Sequence, residues 1–154
     1  MKALVVSGGN EINEDKLMSL YEQNDVIIAA DSGVEQLLKI NKLPDCLVGD
    51  LDSINEKSIL YLESKGVKTI VYPKEKDKSD TEIAIELILP QKPENITLVG
   101  ATGSRLDHSL ANIFLLKKLS DLNIDTQIID NNNIIKLIKP EQTIIKDESF
   151  DYIS

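Results

Sequence analysis

The 154-residue chain contains one cysteine, one histidine and no tryptophan. A lone cysteine excludes an intrachain disulfide, and no Cys/His zinc spacing or Ser-His-Asp constellation can be assembled. Long hydrophobic runs are missing as well. None approaches the roughly 18 residues that span a bilayer. The opening MKALVVSGGN offers about four apolar residues before a glycine turn, which is not a signal-peptide pattern. Basic residues are the scarcer charge, 17 against 26 acidic, for a net charge of −9. A nucleic-acid partner would need a clustered basic face, and lysines collect only in the short run Lys74, Lys76, Lys78. No nucleic acid, no membrane and a cytoplasmic location are therefore expected. Cys46, in an apolar stretch, reads as inert packing.

What is present describes an ordinary globular chain, 42% hydrophobic and 28% charged, long enough for one sizeable core. Short β-branched runs alternate with amphipathic stretches. Strands are expected at 2–7, 25–31, 46–50, 68–73, 95–100 and 125–130. Helices are expected near 14–23, 34–41, 55–65, 79–89 and 107–122. Strand and helix repeated in this way imply right-handed crossovers and a mostly parallel sheet, a Rossmann-like α/β architecture with helices on both faces. Continuous apolar strands such as Val26–Ala30 fit a sheet covered on both sides. After Asp130 the pattern changes. Asn131-Asn132-Asn133 signals a turn, and IIKLIKP and TIIKD read as short strands with no helix between them. The expected division is an α/β domain over 1–130 and the beginning of an incomplete all-β domain over 131–154.

Ligands of open parallel sheets bind at the carboxyl ends of the strands, so the segments following the strands are the place to look for chemistry. They read Ser7-Gly8-Gly9-Asn10, Ala30-Asp31-Ser32-Gly33, Gly49-Asp50-Leu51-Asp52-Ser53, Pro73 to Asp80, and Gly100 to His108. Asp50 and Asp52 form a D-x-D whose side chains can share a direction. Asp31 ends the neighbouring strand and Asp80 opens a helix. Two carboxylates ~4 Å apart repel by roughly 4 kcal/mol at an effective dielectric of about 20, so gathering several requires protonation or a cation. Carboxylate oxygen with phosphate and water is the ligand set of Mg²⁺. The competing structural reading makes each aspartate a turn former or helix cap, with Ser79-x-x-Glu82 as a capping box around Asp80.

Gly8-Gly9 and Gly100-Ala101-Thr102-Gly103-Ser104 can let backbone N–H groups approach a polyphosphate, or can simply form tight turns, since neither has P-loop spacing. Arg105 offers a planar fork for phosphate oxygens. Lys76 and Lys78 are either charge-neutralising or solvated loop lysines. His108, beside Asp107 in a helix's first turn, reads as structural, with a catalytic base as the alternative.

In this order, AADSG at Ala29–Gly33, GDLDS at Gly49–Ser53, KDKSDTE at Lys76–Glu82 and GATGSRLDHSLAN at Gly100–Asn112, with a weaker opening SGG, resemble the thiamine pyrophosphokinase family. The resemblance covers most of Lys2 to Asp130. It implies a catalytic α/β domain followed by a β-sandwich, and a homodimer with active sites at the subunit interface. It also implies transfer of the β,γ-pyrophosphoryl group of ATP to the thiamine hydroxyl, releasing AMP and thiamine diphosphate. Asp31, Asp50, Asp52 and Asp80 fall where that family gathers its magnesium ligands. Lys76, Arg105 and Asp107 fall in its nucleotide-handling stretches, with Gly8, Gly9, Gly100, Gly103 and Ser104 expected beside them. Asp50, Asp52, Asp80 and Lys76 are the expected catalytic group.

Two departures accompany the resemblance. The family's chains usually run further, completing the β domain, and the expected aromatic partner for the thiamine rings has no tryptophan here. Ala101 also stands where a second glycine is common. Other readings of the same residues are a pyrophosphokinase acting on another alcohol such as a hydroxymethylpterin, a phosphatase with Asp50 as nucleophile, and a non-catalytic nucleotide-binding domain.

Overall fold

The computed structural model describes residues 1–73 and 77–139 together with Thr143 and Tyr152. The apolar runs become β1 (Lys2–Val6), β2 (Val26–Ala30), β3 (Cys46–Gly49), β4 (Lys68–Val71), β5 (Asn95–Val99) and β6 (Asp125–Ile129), close to the expected spans. The amphipathic stretches between them become α1 (Glu14–Glu22), α2 (Gly33–Lys39), α3 (Glu56–Ser64), α4 (Asp80–Ile88) and α5 (Leu106–Asp121). A short strand, β7 (Ile134–Lys136), follows the asparagine turn.

These strands form one seven-stranded sheet in the order β4-β3-β2-β1-β5-β6-β7. Every pair is parallel except β6 with β7. Strand side chains alternate between faces. Leu4, Val6, Ile27, Ala29 and Leu47 share a core with Leu17 of α1, Val34 and Leu37 of α2, and Leu62 of α3. Ala3, Val5, Ile28, Val48, Ile96 and Leu98 share the other with Ala84, Ile85 and Ile88 of α4 and Leu115, Leu116 and Leu119 of α5. Helices thus cover both faces, which is why the central strands β1, β2 and β3 are nearly continuous apolar runs rather than alternating. Cys46 is a free, buried member of this second core. Burial pushes its thiol up, beyond the smaller pull of Lys68, in keeping with a packing role.

The helix starts have local causes. Asn13 Oδ1 accepts from the N–H groups of Asp15 and Lys16, and Asn55 Oδ1 accepts from that of Lys57, so each satisfies donors that a helix start leaves open. Ser79 Oγ accepts from Glu82 N at 3.2 Å. Within the expected capping box, Glu82 directs its carboxylate to Lys118 of α5 at 2.8 Å. The charge pair links the two helices on one face of the sheet.

Ile134–Lys136, expected to open a separate β unit, is hydrogen-bonded to β6 as the antiparallel edge of the main sheet. The next expected strand, TIIKD, and the rest of the 131–154 unit from Pro140 onward lie outside the described residues, apart from Thr143 and Tyr152. No described helix is long and apolar enough to cross a membrane.

Candidate functional site

Strand order reverses direction at β1, with β2 on one side and β5 on the other. Ligands of open parallel sheets bind at the carboxyl edge beside such a reversal. The chain turns sharply there. Asp31 has a φ of +53° and Leu51 one of +64°, a left-handed backbone that non-glycine residues adopt rarely and that often marks functional sites. Gly49 backs the first of these turns. A Cβ on it would lie 3.2 Å from Asp31 Cα, tight enough to shift the aspartate.

These turns bring Asp31, Asp50 and Asp52 together, with ligand oxygens within 4.8 Å of one another. Asp31 Oδ2 accepts from Ser53 Oγ at 2.6 Å, while its Oδ1 is buried and has no hydrogen-bond partner among the described residues. Asp50 Oδ1 accepts from Asp52 N at 3.1 Å. Burial holds the Asp31 carboxyl above its ordinary value. The Ser53 hydroxyl and Ser32 N–H oppose that rise, and the negative charges of Asp80 and Asp50 add to it. At 4.8 Å a pair of carboxylates repels by roughly 3.5 kcal/mol at an effective dielectric of about 20. An orphaned carboxylate oxygen beside two more carboxylates is a donor set that fits a hard divalent cation.

Asp80, expected in the same set, sits partly buried at the first position of α4. Its charge reaches Asp31, but the three oxygens that share one 4.8 Å cluster come from Asp31, Asp50 and Asp52. Lys76 lies outside the described residues. Lys78 is described, and its ammonium pairs with Glu86 of α4 at 2.8 Å.

The glycine loops pack against each other. Gly9 N donates to Gly100 O and Asn10 N to Thr102 O, both at 2.7 Å, and Ser7 N donates to Val99 O at 2.8 Å. The loops after β1 and β5 are thereby zipped beyond the strands themselves. A Cβ on Gly9 would lie 2.2 Å from Thr102 O, and one on Gly100, whose φ is +62°, would lie 2.0 Å from Ser7 O. A Cβ on Gly8 would strike Ser32 Oγ at 2.1 Å. Glycine at these three positions allows close approach of neighbouring protein segments. Gly103 is different, since a Cβ there meets nothing closer than 3.5 Å, and its N–H donates to Ser109 Oγ. The N–H groups of Gly9 and Gly103, expected to face phosphate, are committed within the protein.

Ser104, Arg105 and Asp107 lie exposed where α5 begins. Arg105 Nη2 is 2.6 Å from Asp107 Oδ2. That hydrogen bond holds the Asp107 carboxyl below its usual value and the guanidinium above its own. His108 Nε2 stands 3.9 Å from the same carboxylate.

Sequence reasoning passed over the uncharged residues that brace these parts. Ser53 anchors Asp31. Ser7 and Thr81 join hydroxyls at 2.8 Å in a buried contact between the β1 loop and α4. Gln36, 5% exposed, bonds the β1 loop at two points. A glutamine on the inward face of a short apolar helix was the one visible signal.

Comparison with known proteins follows the same lines. Residues 17–128 match the family model described as thiamin pyrophosphokinase, catalytic domain. The chain is 36% identical over 151 residues to a thiamine pyrophosphokinase of Bacillus subtilis strain 168, covering 97% of this chain and 71% of that protein. A crystal structure of thiamine pyrophosphokinase from Bacillus subtilis superposes with a TM-score of 0.82 at 31% identity, over 96% of this chain and 70% of the other. That of thiamin pyrophosphokinase from Geobacillus thermodenitrificans gives 0.73 at 31% identity, over 88% and 62%.

Proposed function

This chain belongs to the thiamin pyrophosphokinase family, and from that membership we propose that it transfers a pyrophosphoryl group from ATP to the hydroxyl of thiamine. The hydroxyl oxygen forms a bond to the β-phosphorus, the bond from that phosphorus to the bridging oxygen on the α-phosphate breaks, and AMP departs. The hydroxyl proton passes to solvent. Thiamine diphosphate is the product.

The observation that carries the reading is the trio Asp31, Asp50 and Asp52 at the carboxyl edge, with one Asp31 oxygen buried and unpaired. These residues would hold Mg²⁺, and Asp80 would add negative potential from the start of α4. A bound cation there would offset polyphosphate charge and polarise a phosphoryl oxygen. The remaining work in such a transfer is positioning, and little covalent chemistry is asked of the protein. Arg105, exposed at the mouth of the β5 loop, supplies a fork for phosphate oxygens once Asp107 gives it up. Lys76 is assigned a charge-neutralising role on the strength of its place in KDKSDTE. Gly8 and Gly100 shape the loops around the nucleotide, and Ser104 lies beside it.

The Rossmann-like description, the homodimer and the cytoplasmic setting belong to the same proposal. So does a β unit after the α/β domain, with Ile134–Lys136 counted in the α/β sheet because it is a strand of it.

Incubation of the protein with ATP, Mg²⁺ and thiamine, with AMP and ADP resolved by chromatography, tests the reading. AMP formed only when thiamine is present is expected. AMP with a hydroxymethylpterin instead moves the acceptor, and nucleotide binding without AMP release removes the transferase.

A further inference from the structure

The loop from Ser7 to Asn13 carries the first glycine pair, and uncharged side chains from other elements fix its shape. Ser7 is 5% exposed, and all its polar groups are engaged. Its N–H donates to Val99 O of β5 at 2.8 Å. Its hydroxyl lies 2.8 Å from Thr81 Oγ1 of α4. Its carbonyl accepts from Gln36 Nε2 of α2 at 3.0 Å.

The other end of the Gln36 amide reaches further along the same loop, where Oε1 accepts from Ile12 N at 3.1 Å. A second amide grips the far side. Asn131, in the turn between β6 and β7, donates from Nδ2 to Glu11 O at 2.9 Å and accepts on Oδ1 from Asn13 N at 2.7 Å. Two primary amides, one from α2 and one from the turn after β6, therefore hold residues 7, 11, 12 and 13.

The choice of amide has a physical reason. Only a carboxamide among the neutral side chains sets a donor and an acceptor side by side, so that one group can bridge a carbonyl and an N–H. Burying it costs free energy unless its partners are in place. Gln36 is buried beside the fully buried Val34 and Leu37, where leucine or methionine would fill the space with no polar group to satisfy. Retaining glutamine exchanges apolar burial for geometry. The geometry set is that of the zipped loops. A Cβ on Gly100 would lie 2.0 Å from Ser7 O and 2.9 Å from Gln36 Nε2, so amide, carbonyl and glycine meet at one point. Thr81, bonded to Ser7, follows Asp80 directly, which couples the loop to the charge at the head of α4.

We infer that Gln36 and Asn131 are positioning residues that set the Gly8–Asn10 backbone against Gly100–Thr102 and so define the polyphosphate subsite at the carboxyl edge of the sheet. The role rests on the nucleotide reading above. Neither amide touches the nucleotide; both act through the loop.

Asn131→Ala and Gln36→Met test it, with Mg·ATP affinity measured by calorimetry, KM and kcat from AMP release, and melting temperature for each variant. Asn131 is exposed, so Asn131→Ala folds with a melting temperature close to that of the parent. It is expected to weaken Mg·ATP binding and raise the ATP KM by about threefold to tenfold, the Boltzmann worth of a hydrogen bond, with the thiamine KM within about twofold of the parent. Gln36→Met shows the same split more strongly, with a lower melting temperature. Unchanged Mg·ATP affinity in Asn131→Ala overturns the positioning role, even should Gln36→Met fail to fold. Should the parent protein bind no Mg·ATP, the nucleotide reading falls and the positioning role falls with it, a result read without any variant.

Discussion

Replacing Asp31 by asparagine removes one charge from the acidic cluster and leaves its shape. Asparagine is among the few residues that accept a left-handed backbone, as the φ of +53° here demands, and its carbonyl still accepts from Ser53. In the unmodified protein, three carboxylates with oxygens within 4.8 Å repel pairwise by roughly 3.5 kcal/mol at an effective dielectric of about 20. Asp31 takes part in two of the three pairs. Asp52 is exposed and Asp50 partly so, and solvent screening reduces the combined repulsion to about 1–2 kcal/mol. A chain of this length shifts its melting temperature by about 2–4 °C per kcal/mol. In EDTA, the Asp31→Asn protein is therefore expected to melt roughly 2–8 °C above the parent in a calorimetric scan.

Acid should close the gap. The Asp31 carboxyl is raised, first by burial and then by Asp80 and Asp50, against the pull of Ser53 and Ser32. The folded state thus binds that proton more tightly than the unfolded chain. Metal-free stability consequently increases as pH falls through the raised value and declines as pH climbs through it. Once Asp31 is protonated, parent and variant carry the same charge and their melting temperatures converge. Millimolar Mg²⁺ should invert the neutral-pH order, because the parent gains about 1.4 kcal/mol for each tenfold excess of ion over its dissociation constant and the variant gains little. A variant that melts at or below the parent in EDTA, or one stabilised equally by Mg²⁺, refutes the claim that these oxygens form one cation site.

Asp50→Asn is expected to keep its circular dichroism spectrum and to lose more activity than the roughly 10–100-fold that a change outside the ligand shell costs; near-normal AMP release by this variant removes Asp50 from the ligands. Asp80→Asn, whose charge acts on Asp31 from α4, should lose less, and a loss equal to that of Asp50→Asn would make it a ligand in its own right. Gly100→Ala pairs a φ of +62° with a Cβ 2.0 Å from Ser7 O, so left-handed strain of roughly 1–2 kcal/mol is joined by a backbone clash. Gly66→Ala, at φ +72° with nothing within 4 Å, carries the strain alone. Urea unfolding should separate the two clearly, and equal losses would mean that the loops after β1 and β5 yield freely.

The sheet was legible because its physics is local. Val26–Ala30 is apolar without alternation, as burial on both faces demands, and helices follow the strands at crossover length. The D-x-D was legible for a related reason. Asp50 and Asp52 directly follow β3 and parallel order puts Asp31 at the neighbouring strand end, although the left-handed turn at Leu51, not the expected two-residue strand period, gathers the two carboxylates. What sequence left open was the use of the polar backbone. Gly8, Gly9 and Gly100 look alike whether their freedom serves a phosphate or an adjoining loop, since both need a backbone without a side chain. Only coordinates show that Gly9 N donates to Gly100 O. Ile134–Lys136 was placed outside the sheet because a strand sequence does not name its partner, and an antiparallel return over a tight asparagine turn costs little loop entropy.

The residues least visible in the sequence, Ser53, Gln36 and Asn131, have one thing in common: each is uncharged and satisfies a group distant along the chain. Charge announces itself in a sequence because gathering it is costly and must be explained. A neutral amide spanning two backbone groups leaves no such mark, since glutamine and asparagine are also ordinary surface residues. The aspartates state that a cation site is being built. The loop geometry that would hold a polyphosphate against it depends on side chains whose purpose appears only when their partners, 24 to 120 residues away, are brought alongside. A reading that stops at acidic and glycine-rich motifs therefore finds the centre of such a site and misses the braces that fix its shape.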